Sequence, residues 1–492
     1  MTFILLTKVI AAFMSIVFVP VYVKLIGVES YGLVAFSSTL IGTLSILDMG
    51  LSAGITRQTA IYNSQNNKHQ SLCDLIFSVE ILNWAIAIIA GVLIILLAMP
   101  ISIHWVNAKE LSIETIRKCV MLMGIMFALQ FPVSVYDGVM IGMEKQIPNA
   151  VINLIFTLLR IIGAILILKY VSAGIVSFFV WQVIITLLIT LSEKIYVKFL
   201  INKRSIRPIF SIIELKVIWK FAAGMTGLSL ITFFLAQIDK IIVSKFLLLE
   251  FVGYYSLAFS IASLISQVVA PFQSLVYPKL TSLIAQNKQA DLILLYHKSC
   301  RWISIIIFPI GFSLIFFAKE LLFFWSKNKI LTENTYPILQ VVALGTICNC
   351  LLWVPYWFML AKGNTKFPIY QNIIASIVLV PLLFWWTSRY GALGASFVWL
   401  TVNAGYVLIT IPVFHTLYLK GELWHWYKNN MGFPFILSLT LVGIAKYMQA
   451  KWFPGFPPLP MCFVGLSCCV LYSLIIPDLR QKIRDLSIKN NA

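Results

Sequence analysis

The chain has 492 residues, of which 60% are hydrophobic and 11% charged, with a mean hydropathy of +0.93 and a formal net charge of +19. A water-soluble chain of this size carries about twice that charged fraction, and a transmembrane β-barrel needs roughly ten-residue alternating strands that are absent here. The basic residues are dispersed among short loops and not gathered on one soluble face, which argues against nucleic acid as a partner.

Apolar runs of about twenty residues follow one another, the length a helix needs to cross the hydrocarbon core. Only helices pair every backbone group internally within such a run. The prediction is therefore an all-α polytopic membrane protein of about 14 transmembrane helices. They fall at about 3–26, 31–55, 72–99, 118–142, 150–168, 173–193, 218–244, 253–277, 302–325, 337–361, 368–387, 392–416, 433–449 and 459–477. The first run is too long for the apolar core of a cleaved signal peptide and lacks a convincing A-x-A site. Pro20, Pro132, Pro271, Pro355 and Pro381 lie inside runs and are expected to kink them. Lys and Arg favour the loops on the N-terminal side by roughly two to one, which puts both termini in the cytoplasm. The longest loops, near 194–217 and 279–300, have only about two dozen residues, too few for a catalytic domain.

The sequence repeats at an offset of about 220 residues. Tyr31-x3-Ala35-Phe36-Ser37 matches Tyr254-x3-Ala258-Phe259-Ser260, and Pro148-x4-Asn153 resembles Pro368-x3-Asn372. Lys169-Tyr170-x3-Gly174, then Ser177-Phe178-Phe179-Val180-Trp181, resembles Arg389-Tyr390-x3-Gly394, then Ser396-Phe397-Val398-Trp399. The offset pairs spans 1–6 with 7–12, an even number, so both copies enter the membrane in one direction. Transporters use such parallel repeats to rock two bundles about a midplane site. The expected organisation is a lobe at 1–200, a second at 201–420, and two further helices with a cytoplasmic tail at 421–492.

The opening span pair reads Pro20-x4-Leu25-Ile26-Gly27-x3-Tyr31-Gly32, then Asp48-Met49-Gly50-Leu51 and Arg57-x2-Ala60. It resembles the opening of bacterial polysaccharide-exporting flippases, the O-antigen or lipid-linked oligosaccharide translocase family. Gly253–Tyr255 and the Asp239 region look like its second half, so the resemblance covers the whole chain. It implies an inner-membrane protein of twelve to fourteen helices in the multidrug/oligosaccharidyl-lipid/polysaccharide exporter superfamily. The implied cargo is an undecaprenyl-pyrophosphate-linked glycan repeat unit of O-antigen, capsule or exopolysaccharide, moved to the periplasmic leaflet. Implied partners are membrane lipids, a polysaccharide polymerase and a chain-length regulator. No organic cofactor is expected, and coupling to H+ or Na+ is.

Candidate working residues are polar groups inside apolar runs, because an ionised side chain at mid-membrane costs at least about 2.5 kcal/mol and normally faces protein or water. Asn149, Asn153, Thr157 and Arg160 recur at helical spacing on one face of span 5, a stripe suited to sugar hydroxyls and a phosphate. The bland alternative for Arg160 is a packing pair with a neighbouring carboxylate. In span 7, Lys240 shares a face with Ser229, Ala236 and Ser244 that reads as lumen, while the adjacent Asp239 points elsewhere. Arg160 and Lys240 are expected in different lobes, holding a head group between them. Arg57 is a substrate candidate at the cytoplasmic mouth or an orientation anchor, and it lies opposite Asp48 on a regular helix. Asp48, Glu80 and Asp239 are the ion-coupling candidates. Lys8, Lys319 and Lys446 are the other cations inside runs. The eight cysteines read as small packing residues, and the five histidines as isolated, without metal-ligand spacing. A cation-coupled small-molecule exporter of the same fold, a membrane polymerase or ligase, and a structural scaffold are the competing readings. The absence of a Walker motif or nucleophile elbow speaks against an enzyme.

Overall fold

The computed structural model describes the backbone of residues 17–48, 50–63, 68–201, 208–364 and 366–452 and of isolated positions 7, 10, 14, 15 and 65. The side chains of 45, 53, 220–236 and 274 are not described. Lys8, the predicted span 459–477, the side chains of Ser229 and Ala236, and Cys462, Cys468 and Cys469 therefore lie outside the described residues. The chain divides into two compact units, Met1–Gly253 and Tyr254–Ala492.

The first unit contains α1 (Val19–Ile26), α2 (Val28–Leu44), a 3-10 turn (Ser45–Asp48), α3 (Leu51–Asn63), α4 (His69–Leu96), α5 (Ala98–His104), α6 (Ile113–Gln130), α7 (Val133–Gly142), α8 (Gln146–Tyr170), α9 (Ile175–Ile201) and α10 (Ile212–Phe246). The unit boundary falls in the first turns of α11 (Leu249–Ala285). The second unit continues with α12 (Gln289–Phe316), α13 (Ala318–Ser326), α14 (Lys329–Leu351), α15 (Trp353–Ala361) and α16 (Lys366–Gly405). A π-turn (Tyr406–Thr410), α17 (Ile411–Tyr418), α18 (Leu423–His425), a second π-turn (Trp426–Gly432) and α19 (Phe433–Trp452) complete the described chain.

The all-α expectation holds: ten helical stretches among the described residues are long and apolar enough to cross a membrane. They cover predicted spans 2–6 and 8–13, because the 53-residue stretch Lys366–Tyr418 holds two of them. These two are separated at Gly391, whose φ of 62° breaks the helix. Predicted span 7 coincides with α10. The prolines expected to kink spans take three kinds of position. Pro271 and Pro381 lie inside helices, whereas Pro132 caps α7 at its break from α6. Pro20 and Pro355 sit in first turns, where no N–H is needed.

The first compact unit runs past the expected boundary at 200 to take in α10. Ile218 of α10 is buried with Leu51, Ile55 and Tyr62, and the Tyr62 hydroxyl donates to Glu214 at 2.6 Å. In the second unit, α19 and the π-turn before it pack on α12, with Phe435 edge-on to Phe308 and Phe312.

Helix α4 illustrates how these elements sort their faces. Ala87, Ala90, Gly91 and Ile94 are buried, while Ile88, Ile89, Val92, Leu93 and Leu96 are exposed. In water such an outer face would be costly; against hydrocarbon it is neutral, and helix association relies on close packing of small residues. Gly91 supplies it, since a Cβ there would lie 2.9 Å from the Gly124 carbonyl of α6. At the far end, Glu29 in the first turn of α2 accepts the backbone N–H groups of Lys109, Glu110 and Leu111 at 2.9–3.2 Å. That buried carboxylate anchors the α5–α6 loop, a role its position in the sequence did not signal.

Candidate polar site in the first unit

The stripe on α8 forms as its spacing predicts. Asn153 donates through Nδ2 to the Asn149 carbonyl at 3.1 Å, and Asn149 donates in turn to the Asp137 carboxylate on α7. Two turns further, the backbone around Arg160 is clamped by side chains from two other helices. The Trp181 indole of α9 donates to the Arg160 carbonyl at 3.2 Å, and the Tyr22 hydroxyl of α1 donates to the Ile161 carbonyl at 3.2 Å. The Trp181 ring packs directly against Gly163, where a Cβ would sit 2.1 Å from it. The guanidinium itself is less provided for: Nε is buried without a hydrogen-bond partner. No carboxylate among the described residues lies within ion-pair distance of it. The packing-pair alternative for Arg160 thus finds no partner among the described residues. Thr157 is half-buried between the asparagines and Arg160.

A second stripe lies on α9. Gln182, Thr186, Thr190 and Glu193 are all buried, and Glu193 is 0% exposed. The threonine hydroxyls are spent on backbone carbonyls, Thr190 bridging to Leu129 of α6 at 2.8 Å. Both Glu193 oxygens lack hydrogen-bond partners among the described residues, and the Asp137 carboxylate acts on Glu193 through space. Sequence reasoning passed over Glu193, although its stripe repeats the 4-4-3 spacing of Asn149, Asn153, Thr157 and Arg160.

The other predicted residues are placed as follows. Glu80 accepts from the Tyr136 hydroxyl at 2.7 Å and pairs with Lys194 Nζ at 2.7 Å. It lines a cavity of about 370 Å³ with Cys73, Phe77 and Lys198. Asp48 accepts from Ser52 through both backbone and side chain, and from Ser134 at 3.5 Å. The regular helix assumed between Asp48 and Arg57 is broken at Gly50, with φ of 73°, and Arg57 is exposed on α3. Asp239 is 6% exposed and Lys240 half-buried on α10, so Lys240 shares its compact unit with Arg160 and not the second unit. Ser244, on the face read as lumen, is buried and receives the Trp105 indole N–H at 3.2 Å.

In the second unit, Lys446 is ion-paired with Glu320, and Lys319 with Glu333 at 2.8 Å, so both of these predicted in-span cations are neutralised. The histidines are less isolated than the sequence implied. The His297 and His425 rings stand 4.5 Å apart, and His415 meets Tyr296, the neighbour of His297. No group among the described residues has the make-up of a metal site. The five described cysteines are free, four of them buried, as packing residues should be.

Comparison with known proteins places this architecture. Over 98% of both chains it superposes on lipid II flippase MurJ in an inward closed conformation, with a TM-score of 0.73 at 16% identity. A multidrug resistance MATE family transporter of the MOP superfamily, inward-facing, aligns over 85% of this chain and 96% of its own, with a TM-score of 0.65 at 13% identity. At those identities the likeness is one of fold. The succinoglycan biosynthesis transport protein ExoT of Rhizobium meliloti is 22% identical over 422 residues, 83% of this chain and 78% of that one. The family described as polysaccharide biosynthesis protein matches residues 1–284, more than half of the sequence, and the chain therefore belongs to that family of multi-pass membrane proteins.

Proposed function

We propose that the protein is a flippase that carries undecaprenyl-pyrophosphate-linked oligosaccharide repeat units across the bacterial inner membrane by alternating access. Family membership and the transport and flippase names of its relatives support the class of cargo, a lipid-linked glycan. The observation that carries the reading is Arg160. A pyrophosphate head group brings at least two negative charges into a path about 30 Å long, where leaving them unpaired is prohibitive. The path must supply cations, and Arg160 offers a guanidinium with a buried, unpartnered Nε on a stripe of hydroxyl- and amide-bearing residues. Lys240 is the second cation assigned to this path, with Asn149, Asn153 and Thr157 contacting sugar hydroxyls and Arg57 at the cytoplasmic mouth. H+ or Na+ drives the cycle. Glu193 joins Asp48, Glu80 and Asp239 as a coupling carboxylate and is preferred among them, since Glu80 already holds Lys194 and Asp48 two serines. Both termini face the cytoplasm, and a polymerase and chain-length regulator act on the product.

The test is polysaccharide display at the cell surface in a deletion strain complemented with Arg160→Ala or Lys240→Ala, with protein level in the membrane measured alongside. Loss of display at normal protein level, with lipid-linked repeat unit accumulating in the cytoplasmic leaflet, is the expected result. Normal display from both variants refutes the electrostatic role. Lost protein assigns Arg160 to packing instead. A cation-coupled exporter of small molecules is the second reading, favoured by the buried Glu193; it predicts drug sensitivity without precursor accumulation.

A further inference from the structure

The second unit holds a cavity that the transport reading does not use. It has a volume of about 860 Å³ and lies between the C-terminal part of α11, the first half of α12 and the α17–α18 connection. One side is basic. Lys298 and Arg301 are three residues apart on α12 and so share a face, and Lys279 approaches from the end of α11. Among the described residues none of these three has a carboxylate within ion-pair distance, and Arg301 Nε is buried without a hydrogen-bond partner. Glu422, the carboxylate in the lining, is already engaged by His297 Nε2 at 3.0 Å. The rest of the wall is apolar, including Phe272, Leu275, Leu294 and Trp302. Leu275 and Leu294 are 59% and 63% exposed, so the cavity opens onto the outer apolar surface.

We infer that this cavity is a binding site for one anionic phospholipid of the surrounding leaflet. Its phosphate lies among Lys279, Lys298 and Arg301, and an acyl chain runs along Leu275, Leu294 and Trp302. The charge sets the head group, because three cations with no ion pair among the described residues, at a membrane surface, attract an anionic lipid. The wall sets the tail, because a free phosphate would leave most of the volume and all of the apolar face unoccupied. The loop-charge bias puts this end of the unit at the cytoplasmic surface, where anionic lipids lie. The lipid is a resident of the site and not the cargo, and the proposal does not depend on which glycan is carried.

The experiment is native mass spectrometry of the full chain in detergent, titrated with phosphatidylglycerol or with phosphatidylcholine of identical acyl chains. The wild type should retain one phosphatidylglycerol in preference to phosphatidylcholine. Lys298→Gln combined with Arg301→Gln should weaken that binding about 30-fold, and the exposed Lys279→Gln alone about fivefold. Lys279→Gln keeps the test alive if the double variant melts early. Equal retention of the two lipids, or unchanged phosphatidylglycerol binding in the variants, overturns the site. Stripping of the bound lipid by millimolar inorganic phosphate would make it a free-anion site. Displacement by equimolar polyprenyl pyrophosphate would make it a cargo site. Either outcome ends the resident-lipid assignment.

Discussion

Gly163→Ala is the substitution whose consequence follows most directly from geometry. The new Cβ would stand 2.1 Å from Trp181 Cζ2 and 2.4 Å from Cε2, against about 3.5–4.0 Å for a relaxed carbon contact. Ring or helix must therefore move by more than about 1 Å, an overpacking cost of about 1–3 kcal/mol. Such a shift also breaks the indole hydrogen bond to the Arg160 carbonyl, another 0.5–1.5 kcal/mol or so. Alanine returns about 1 kcal/mol of helix propensity, leaving a net destabilisation of about 0.5–3.5 kcal/mol. Removing the ring should reverse the sign: in a Trp181→Leu background, Gly163→Ala meets no ring and gains only the propensity. The assay is reversible unfolding by SDS titration, followed by far-UV circular dichroism, for the wild type, both single variants and the double. The expected coupling energy, the difference between the two backgrounds, is about 1.5–4.5 kcal/mol. Polysaccharide display should fall in Gly163→Ala, since its Arg160 backbone is no longer clamped. Equal effects of Gly163→Ala in both backgrounds would refute the reasoning.

The remaining expectations concern anchoring, charge pairing and topology. Glu29→Ala removes the acceptor for three loop N–H groups; because that loop is exposed and water replaces the carboxylate, hydrogen exchange at Lys109–Leu111 should quicken by about 30-fold, corresponding to about 2 kcal/mol. Unchanged exchange there would remove Glu29 from its anchoring role. Lys446→Ala leaves Glu320 without its cation and should destabilise by about 1–2 kcal/mol, a modest value because the pair is about one-third exposed; adding Glu320→Gln should recover most of it in the same SDS titration. A periplasm-active reporter should be active when fused after Lys109 and silent after Arg204, and the opposite pattern would invert the topology.

Much of the architecture was legible because the bilayer imposes a length and a composition on every crossing. Apolar runs of about twenty residues located the helices, and the 4-4-3 spacing on α8 located a polar stripe. The same spacing on α9 was equally visible, yet Thr186 and Thr190 look unremarkable until their burial beside Glu193 is known. Motifs in the first span pair pointed to the family that the chain belongs to. Pairing was another matter. A cation in an apolar run reads alike whether it is satisfied or not, because its partner lies on a helix distant in sequence. Lys446 meets Glu320 across 126 residues, and Glu80 meets Lys194 across more than a hundred. Both are thereby neutralised, whereas Arg160 receives clamps on its backbone and no ion pair on its guanidinium among the described residues. The sequence by itself determined the class, most of the spans and the one-faced polar stripe on α8, because each follows from periodicity against lipid. Only tertiary structure decided which charges are cancelled, that α10 packs within the first unit, and that three distant histidines converge, because those depend on which helix faces abut.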